Sequence, residues 1–451
     1  MTPLDFVHSM RWSDLPYPVQ RQTELCILDL IGVAAGGHGT RLSQMIRAHA
    51  TESFGGPHPL LFDTATASAP GVALAAGMTI DALDGHDGYN PAKGHVGCPL
   101  FPAALAIGHQ VGASGAEFLA AMTMGYEFGS RAAVAQHATV ADYHTSGSWG
   151  AVTAAAAGAR LLRLPPDQTR HALGIAEYHG PRSQMMRCID HPTMVKDGSG
   201  WGAMTGASAA LLAAKGFTGA PAITVEDAPE HWADLGDDWL ILRQYFKPYP
   251  VCRWAQAPVE GVLALMRGHH ITASQVERIV VTTFHEAVRL ATSRPETTEE
   301  AQYSTPFPCA VAAVRGALTP AAIADDALRD PEILRLSESL TMTESDEANA
   351  QFPQQRLARV CLHLRNGTRL DGPYMTPRWD ADDPPSDTEL RAKYHSLADP
   401  VLGSDRADAI ETALHDLPNG AMQPLTELLF QPISENTTSG RSSNRSSRAS
   451  G

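Results

Sequence analysis

Lysine is almost missing from this 451-residue chain: of 34 cationic residues only five are lysine, at positions Lys93, Lys196, Lys215, Lys247 and Lys393. Aromatic residues are also few, at 6%, and charged residues reach 18%, whereas hydrophobic residues make up 43% with alanine dominant. Alanine favours helices and is depleted in strands, so closely packed helices are expected rather than a sandwich of strands. The formal charge of −15 excludes nucleic acid or an anionic membrane as the main partner, since both need a basic surface. A small anionic substrate stays open, because a few clustered cations set the potential of a cleft against the sign of the whole molecule. The six cysteines (Cys26, Cys98, Cys188, Cys252, Cys309, Cys361) are widely spaced and form no CxxC pair, which fits reduced thiols in a cytoplasmic protein. The stretch MTPLDFVHSMRW has no basic start followed by an apolar core, so no secretory leader is expected there. No apolar run approaches the roughly 20 residues needed to span a bilayer.

A chain of this length exceeds the usual ceiling for one hydrophobic core, so two domains are expected. The segments PVQRQTELCILDLIGVAAGG, APGVALAAGMTIDALD, FPAALAIGHQVG, SGAEFLAAMTMGYEFGSRAAVA, SWGAVTAAAAGARLLRL and SGWGAMTGASAALLAAKG carry helical apolar spacing and helix-start residues. Their small-residue faces predict a bundle. The texture changes near Thr272: ASQVERIVVTTFH is β-branched, and RVCLHLRNGTRLDG alternates around Asn366-Gly367, a hairpin signal. Helical pattern returns from Pro400 to Leu429. The expected fold is mainly α: a discontinuous all-helical domain (1–270 plus 398–432) with an inserted smaller α+β lid (271–397). The serine- and arginine-rich segment 433–451 has nothing to bury and is expected to be disordered.

The scarce lysines frame the candidate site. Lys93, Lys196 and Lys247 each sit in a loop dense with Gly, Pro, His or Asp, in PAKGHVG, HPTMVKDGSGWG and FKPYPVCRW. Lys215 reads as a helix C-cap and Lys393 as an exposed helical residue. His95 lies between Gly94 and Gly97, which strip away side-chain cover, and His144 precedes a helix start, where backbone N–H groups favour an anion. Histidine is the natural general base near neutral pH; a solvated loop lysine or a structural histidine is the plainer reading of each residue alone. Asp84, His86, Asp87 and His95 are metal-ligand types, but no HExxH or H-x-x-x-H spacing appears. Ser146 and Ser148 lie near His144 without a GxSxG motif. GSGWGAMTG lacks a preceding strand, so its glycines serve helix packing rather than a dinucleotide. What remains is acid/base chemistry with no cofactor expected. Removing a proton next to a carboxylate needs cations to hold the developing enediolate and a positioned base. Lys93 and His95, oriented by Asp84, make such a kit.

The ordered series DALDGHDGYNPAKGHVG, GYEFGSR, HTSGSWGAVTAAAAGARLLRL, HPTMVKDGSGWGAMTGASAALLAAKGFTG and KPYPVCRWAQAPVEG resembles the MmgE/PrpD family. Its members include 2-methylcitrate dehydratase, cis-aconitate decarboxylase and iminodisuccinate epimerase. The resemblance runs from about Met10 to Gln431. It implies a mostly helical domain with an inserted lid, a homodimer, and a cofactor-free site between the domains that takes small di- or tricarboxylates. By motif position, Asp84, His95, His144, Lys196 and Lys247 match the family's active-site residues. Gly88 stands where decarboxylase-like members have a threonine, and Phe307 where they have a tyrosine; the DGHDG…KGH loop looks closer to the epimerase-like branch. The expected function is epimerisation of an amino- or imino-dicarboxylate, with Lys196 and Lys247 binding carboxylates, His95 and Lys93 exchanging protons and His144 in reserve. A dehydratase or decarboxylase of tricarboxylates, a non-catalytic dicarboxylate-binding protein and a metal hydrolase are the alternatives.

Overall fold

Side chains that cap or start helices stand at the beginnings of the alanine-rich runs, and they decide where the helices begin. The computed structural model describes residues 1–324 and 327–433. Helix α1 (Tyr17–Gly37) starts with Pro18 in its first turn. Ser68 accepts from Gly71 N at the head of α2 (Ala69–Asp81), and α3 spans Gly97–Val111, ending on Gly112 at φ +62°. Ser114 accepts from Glu117 N to cap α4 (Gly115–Thr139). Then come α5 (Ser146–Leu161), α6 (Pro166–His179) and α7 (Ser199–Ala213). The chain is mainly α, as expected. No helix among the described residues is long and apolar enough to cross a membrane, and all six cysteines are free and buried.

Every residue of α5 is buried, which makes it the central rod of the bundle. Its run of Ala and Gly suits that place, because a helix without a polar face must be covered on all sides. Helix α7 packs against both α5 and α2, and glycine sets the approach. A Cβ at Gly77 would lie 2.6 Å from the Gly200 Cα, and a Cβ at Gly200 would lie 2.6 Å from Leu74 O and 2.7 Å from Met78 N. Only hydrogen fits between those backbones. This close contact brings the loop before α7 against the loops after α2 and before α5.

A second core is built from helices α8 (Arg253–Gly268), α9 (Pro306–Arg315) and α10 (Pro331–Ser339). They pack with a four-stranded sheet of β1 (Val276–Thr283), β2 (Thr341–Glu344), β3 (Ala358–Leu364) and β4 (Arg369–Met375). The order is β2-β1-β3-β4. Strand β1 pairs parallel with β2 and antiparallel with β3, setting Ile279 opposite Leu362. The Asn366-Gly367 hairpin joins β3 to β4: Leu364 N donates to Thr368 O, and Gly367 takes φ +83°. Val259, Val262, Val311, Ile333, Val281 and Leu362 meet in this core.

The apolar face of α8 belongs to this second core, so the expected seam at 270/271 falls beyond a helix already committed to it. The seam at 397/398 falls inside α11 (Asp387–Leu402), which packs along α1 with the Tyr394 ring over Gly32. Helix α12 (Ser404–Asp416) follows. The tail expected from 433 lies, apart from Ile433, outside the described residues.

Replacing Gly200 with Ala forces a methyl against backbone atoms that cannot rotate away. Overpacking of this kind costs about 1–3 kcal/mol. The urea midpoint of Gly200→Ala is expected to fall with the slope unchanged; an unaltered midpoint would show that α2 and α7 are not held by this contact.

Candidate active site

Four loop segments converge at one end of the bundle: the stretch from Asp81 to Gly97, residues 140–146, residues 191–199 and the 244–252 connection to the second core. Seven non-glycine residues have positive φ among those described, and three are predicted site residues: Asp84 at +50°, Lys93 at +54° and Lys196 at +50°. Such conformations cost of order 1 kcal/mol or more each and persist where surrounding contacts impose them.

The strongest of those contacts is an ion pair. Lys247 Nζ donates to Asp84 Oδ1 at 2.6 Å and to Asp84 O at 2.8 Å, with Lys247 wholly buried and Asp84 2% exposed. Burial alone would push the Asp84 carboxyl up, but Lys247, Lys196 and His95 outweigh it and hold it below the usual range. Burial likewise pulls on the Lys247 ammonium, and Asp84 more than compensates. Both partners are therefore charged. Lys196 is different: its Nζ donates to Gln302 Oε1 and rests 4.7 Å over the Tyr303 ring, while Gln302 Nε2 donates to Ala82 O. No salt bridge to Lys196 is found among the described residues; it acts on Asp81 and Asp84 from beyond contact distance.

His95 is held from both sides. Its backbone N–H donates to Ser146 Oγ at 2.9 Å, and that hydroxyl donates to Asp197. The ring Nδ1 lies 2.5 Å from Asp87 O, a carbonyl that only accepts, so the proton sits on Nδ1 and Nε2 carries the lone pair. Nε2 stands 4.0 Å from Asp84 Oδ1. Burial and then Lys247 pull the imidazole down to about 3, against the opposing pull of Asp84. It is a neutral base at any physiological pH.

The flanking glycines do not uncover this ring, which is 8% exposed. They let neighbours close on it: a Cβ at Gly94 would meet Ser146 Oγ at 2.5 Å, and one at Gly97 would meet the Tyr126 hydroxyl at 2.3 Å.

The structure thus brings together Asp84, His95, Lys196 and Lys247. Lys93 and His144 stand to one side, beside Tyr143. Lys93 is half-buried with Nζ 4.5 Å over the Tyr143 ring, and its carbonyl accepts from the Tyr143 hydroxyl. Burial and then Arg356 pull its ammonium down. His144 Nδ1 donates to Asp142 O at 2.8 Å, and burial lowers its pKa. Lys393 is no exposed helical residue; its Nζ donates to Asp29 Oδ1 at 2.5 Å and to Gly85 O at 2.6 Å. Phe307 is buried in the second core and adds nothing polar.

Several buried acids and one histidine complete the cluster. Asp81 and Asp197 are both pushed up by burial; Asp84 adds to the push on Asp81, and Asp81 to the push on Asp197. Asp87, bonded by the Tyr126 hydroxyl at 2.5 Å, is pushed by burial to about 7. Helices α3, α5 and α7 begin beside these groups, and Ser199 N donates to Asp81 Oδ2, so helix N-termini add positive potential. His86 stacks edge-on against His95 with centroids 4.3 Å apart; neither of its nitrogens has a hydrogen-bond partner among the described residues, and Nε2 lies 3.9 Å from Asp81 Oδ1. It belongs to both groupings whose ligand atoms fall within 4.8 Å, Asp81–His86–Cys98 and Asp84–His86–His95; these are the residues able to hold a metal. A cavity of about 1050 Å³ opens nearby between the two cores, lined by Thr40, Arg41, Leu83, Arg294, Glu299 and Gln302 among others. None of the six predicted site residues lines it. Gln302, the partner of Lys196, is the link between cavity and cluster.

Removing one partner of a buried ion pair strands the other charge, at a cost of about 3–5 kcal/mol. Lys247→Met is expected to lose that much in denaturant unfolding at pH 7, and the double variant with Asp84→Asn to recover most of it. Additive losses would mean that the two side chains are not coupled.

The MmgE/PrpD N-terminal domain matches residues 4–230 and the MmgE/PrpD C-terminal domain residues 249–418. A cis-aconitate decarboxylase-like protein of Aspergillus oryzae is 24% identical, over 94% of this chain and 95% of its own length. A cis-aconitate decarboxylase of Aspergillus terreus is 25% identical, over 93% of each chain. With both domain models matched in order, spanning most of its length, the chain belongs to the MmgE/PrpD family.

Proposed function

We propose that this protein is a cofactor-independent enzyme that removes a proton next to a carboxylate of a small polycarboxylate. The reaction we favour is epimerisation of an imino-dicarboxylate such as iminodisuccinate. The observation that carries this reading is a neutral, Nδ1-protonated His95 whose Nε2 lies beside a buried Asp84–Lys247 pair, with Lys196 in salt-bridge contact with no carboxylate among the described residues. Lys196 and Lys247 bind substrate carboxylates and stabilise negative charge as it moves from carbon into the enediolate. Nε2 takes the proton; returning one to the opposite face inverts the centre. For that second transfer the sequence nominates Lys93 and His144. Gly88 and Phe307 provide no hydroxyl where the family resemblance expects decarboxylases to carry one, and this supports an epimerase. A homodimer in the cytoplasm goes with this reading.

The names of the Aspergillus relatives favour a second reading, a lyase that decarboxylates a tricarboxylate, the carbanion forming as CO2 leaves; a dehydratase of the same substrate class, which removes the α-proton and expels hydroxide, stands beside it. Proton NMR in D2O with iminodisuccinate, cis-aconitate and 2-methylcitrate separates them. Deuterium is expected at the iminodisuccinate stereocentres with interconversion of stereoisomers, falling about 10²-fold or more in His95→Gln. Loss of carboxylate from cis-aconitate, or an alkene from 2-methylcitrate, without exchange on iminodisuccinate would replace the epimerase by the lyase. Binding without either reaction would reduce the protein to a carboxylate receptor.

A further inference from the structure

We infer that Gln302 is a positioning and specificity-determining residue: its neutral side-chain amide fixes the Lys196 ammonium and leaves it able to take a substrate carboxylate. The inference rests on the reading that Lys196 binds a carboxylate, and it deepens that reading for epimerase and lyase alike. The site holds two buried lysines whose partners differ in kind. Lys247 Nζ meets the carboxylate of Asp84 at 2.6 Å, so its charge is matched at contact. Lys196 is 2% exposed. Among the described residues its Nζ donates only to the amide oxygen of Gln302 and rests on the face of the Tyr303 ring. An ammonium carries three N–H donors, so donors remain for the oxygens of a ligand.

Gln302 is wholly buried at the end of the short helix Thr298–Gln302, and each of its polar groups has a task. Oε1 accepts from Lys196, Nε2 donates to Ala82 O at 2.9 Å, and the backbone oxygen accepts from Cys252 N at 3.0 Å. An ammonium only donates and a carbonyl only accepts, so these partners fix which way the amide faces. Ala82 stands two residues before Asp84, so the amide places the ammonium relative to that turn. At the other end of the lysine, the backbone is held at φ +50°. The next residue, Asp197, accepts from Ser146, whose Oγ takes the His95 N–H. Gln302 also lines the cavity between the two cores, with Leu83 and Met194.

A carboxylate at position 302 would act differently. It has the shape of the amide, so it would pair with Lys196 as Asp84 pairs with Lys247. A substrate carboxylate would then meet a like charge at the same ammonium, which is strongly unfavourable in a buried site. Protonating the introduced carboxyl restores a neutral acceptor for Lys196 and a donor for Ala82 O. Asp81, Asp84, His86 and Cys252 feel the ammonium, Tyr303 lies against it, and Asp197 and Glu299 are chain neighbours of the pair. All of these are common to wild type and variant, so a ratio of affinities isolates position 302.

Calorimetric titration of the whole chain with iminodisuccinate and with cis-aconitate, between pH 6 and pH 8, tests the inference. Wild-type protein is expected to bind at least one of the two acids. Gln302→Glu is expected to weaken that binding about tenfold or more at pH 8. The ratio to wild type is expected to shrink toward pH 6, as binding draws a proton onto the introduced carboxyl. Gln302→Leu, similar in size but without an acceptor, is expected to weaken binding several-fold by a ratio that stays constant with pH. It carries the test should Gln302→Glu fail to fold. Unchanged affinity in either variant, or a Gln302→Glu ratio that does not move with pH, would overturn the role of Gln302 and leave the carboxylate site standing. A wild-type protein that binds neither acid would overturn that site and this role together.

Discussion

A fully desolvated lysine is tolerable in a protein only if its charge is answered on the spot, and Lys247 is answered by one residue. Its ammonium takes both the carboxylate and the backbone oxygen of Asp84. That double contact ties the turn at Asp84, in its left-handed backbone, to the segment entering the second core. The same tie aligns Gly88 with Tyr245 and Tyr89 with Gln244. It also places a fixed positive charge near His95, which together with burial keeps the imidazole unprotonated. Break the pair and the loop, the ladder and the state of the base all lose their reference point.

The second constraint is electrostatic sign. The molecule carries a formal −15, yet the site must welcome a polyanion. Surface charges beyond about 10 Å are screened at ordinary salt, so the local balance decides. Asp81, Asp87 and Asp197 are all pushed up by burial, which withdraws negative charge from the cluster without removing the residues. Lys196, in contact with no carboxylate among the described residues, adds positive charge, and the starts of α3, α5 and α7 add the positive ends of helix dipoles. An anion is met by a local field opposite in sign to the global one.

Much of this was legible in the chain itself. The helix starts, the β-branched strand and the Asn366-Gly367 hairpin are local signals, and the lysine count singled out Lys196 and Lys247 because so few lysines compete for notice. What stayed hidden depends on contacts between distant positions. Lys393 looks like any helical surface lysine until Asp29, 364 positions away, is seen under it. The glycines around His95 read as openness, whereas packing uses them to admit Ser146 and Tyr126. The sequence does not say which core α8 joins, because its apolar face suits either one, and only the tertiary arrangement chooses.

The central claim is that the protein holds His95 as a neutral imidazole, with its proton on Nδ1, inside a cationic cluster. An unfolded imidazole takes a proton near 6.5, while the folded ring does so only near about 3. Below pH 6.5 the unfolded chain therefore binds the extra proton, and this group's share of stability is lost as pH falls through that interval. Ring 1H–15N spectra, with His95 assigned by comparison with His95→Gln, read its state directly. A ring that stays neutral and Nδ1-protonated from pH 8 to pH 5 is the expected result. A ring that titrates near 6.5, or carries its proton on Nε2, would contradict the claim.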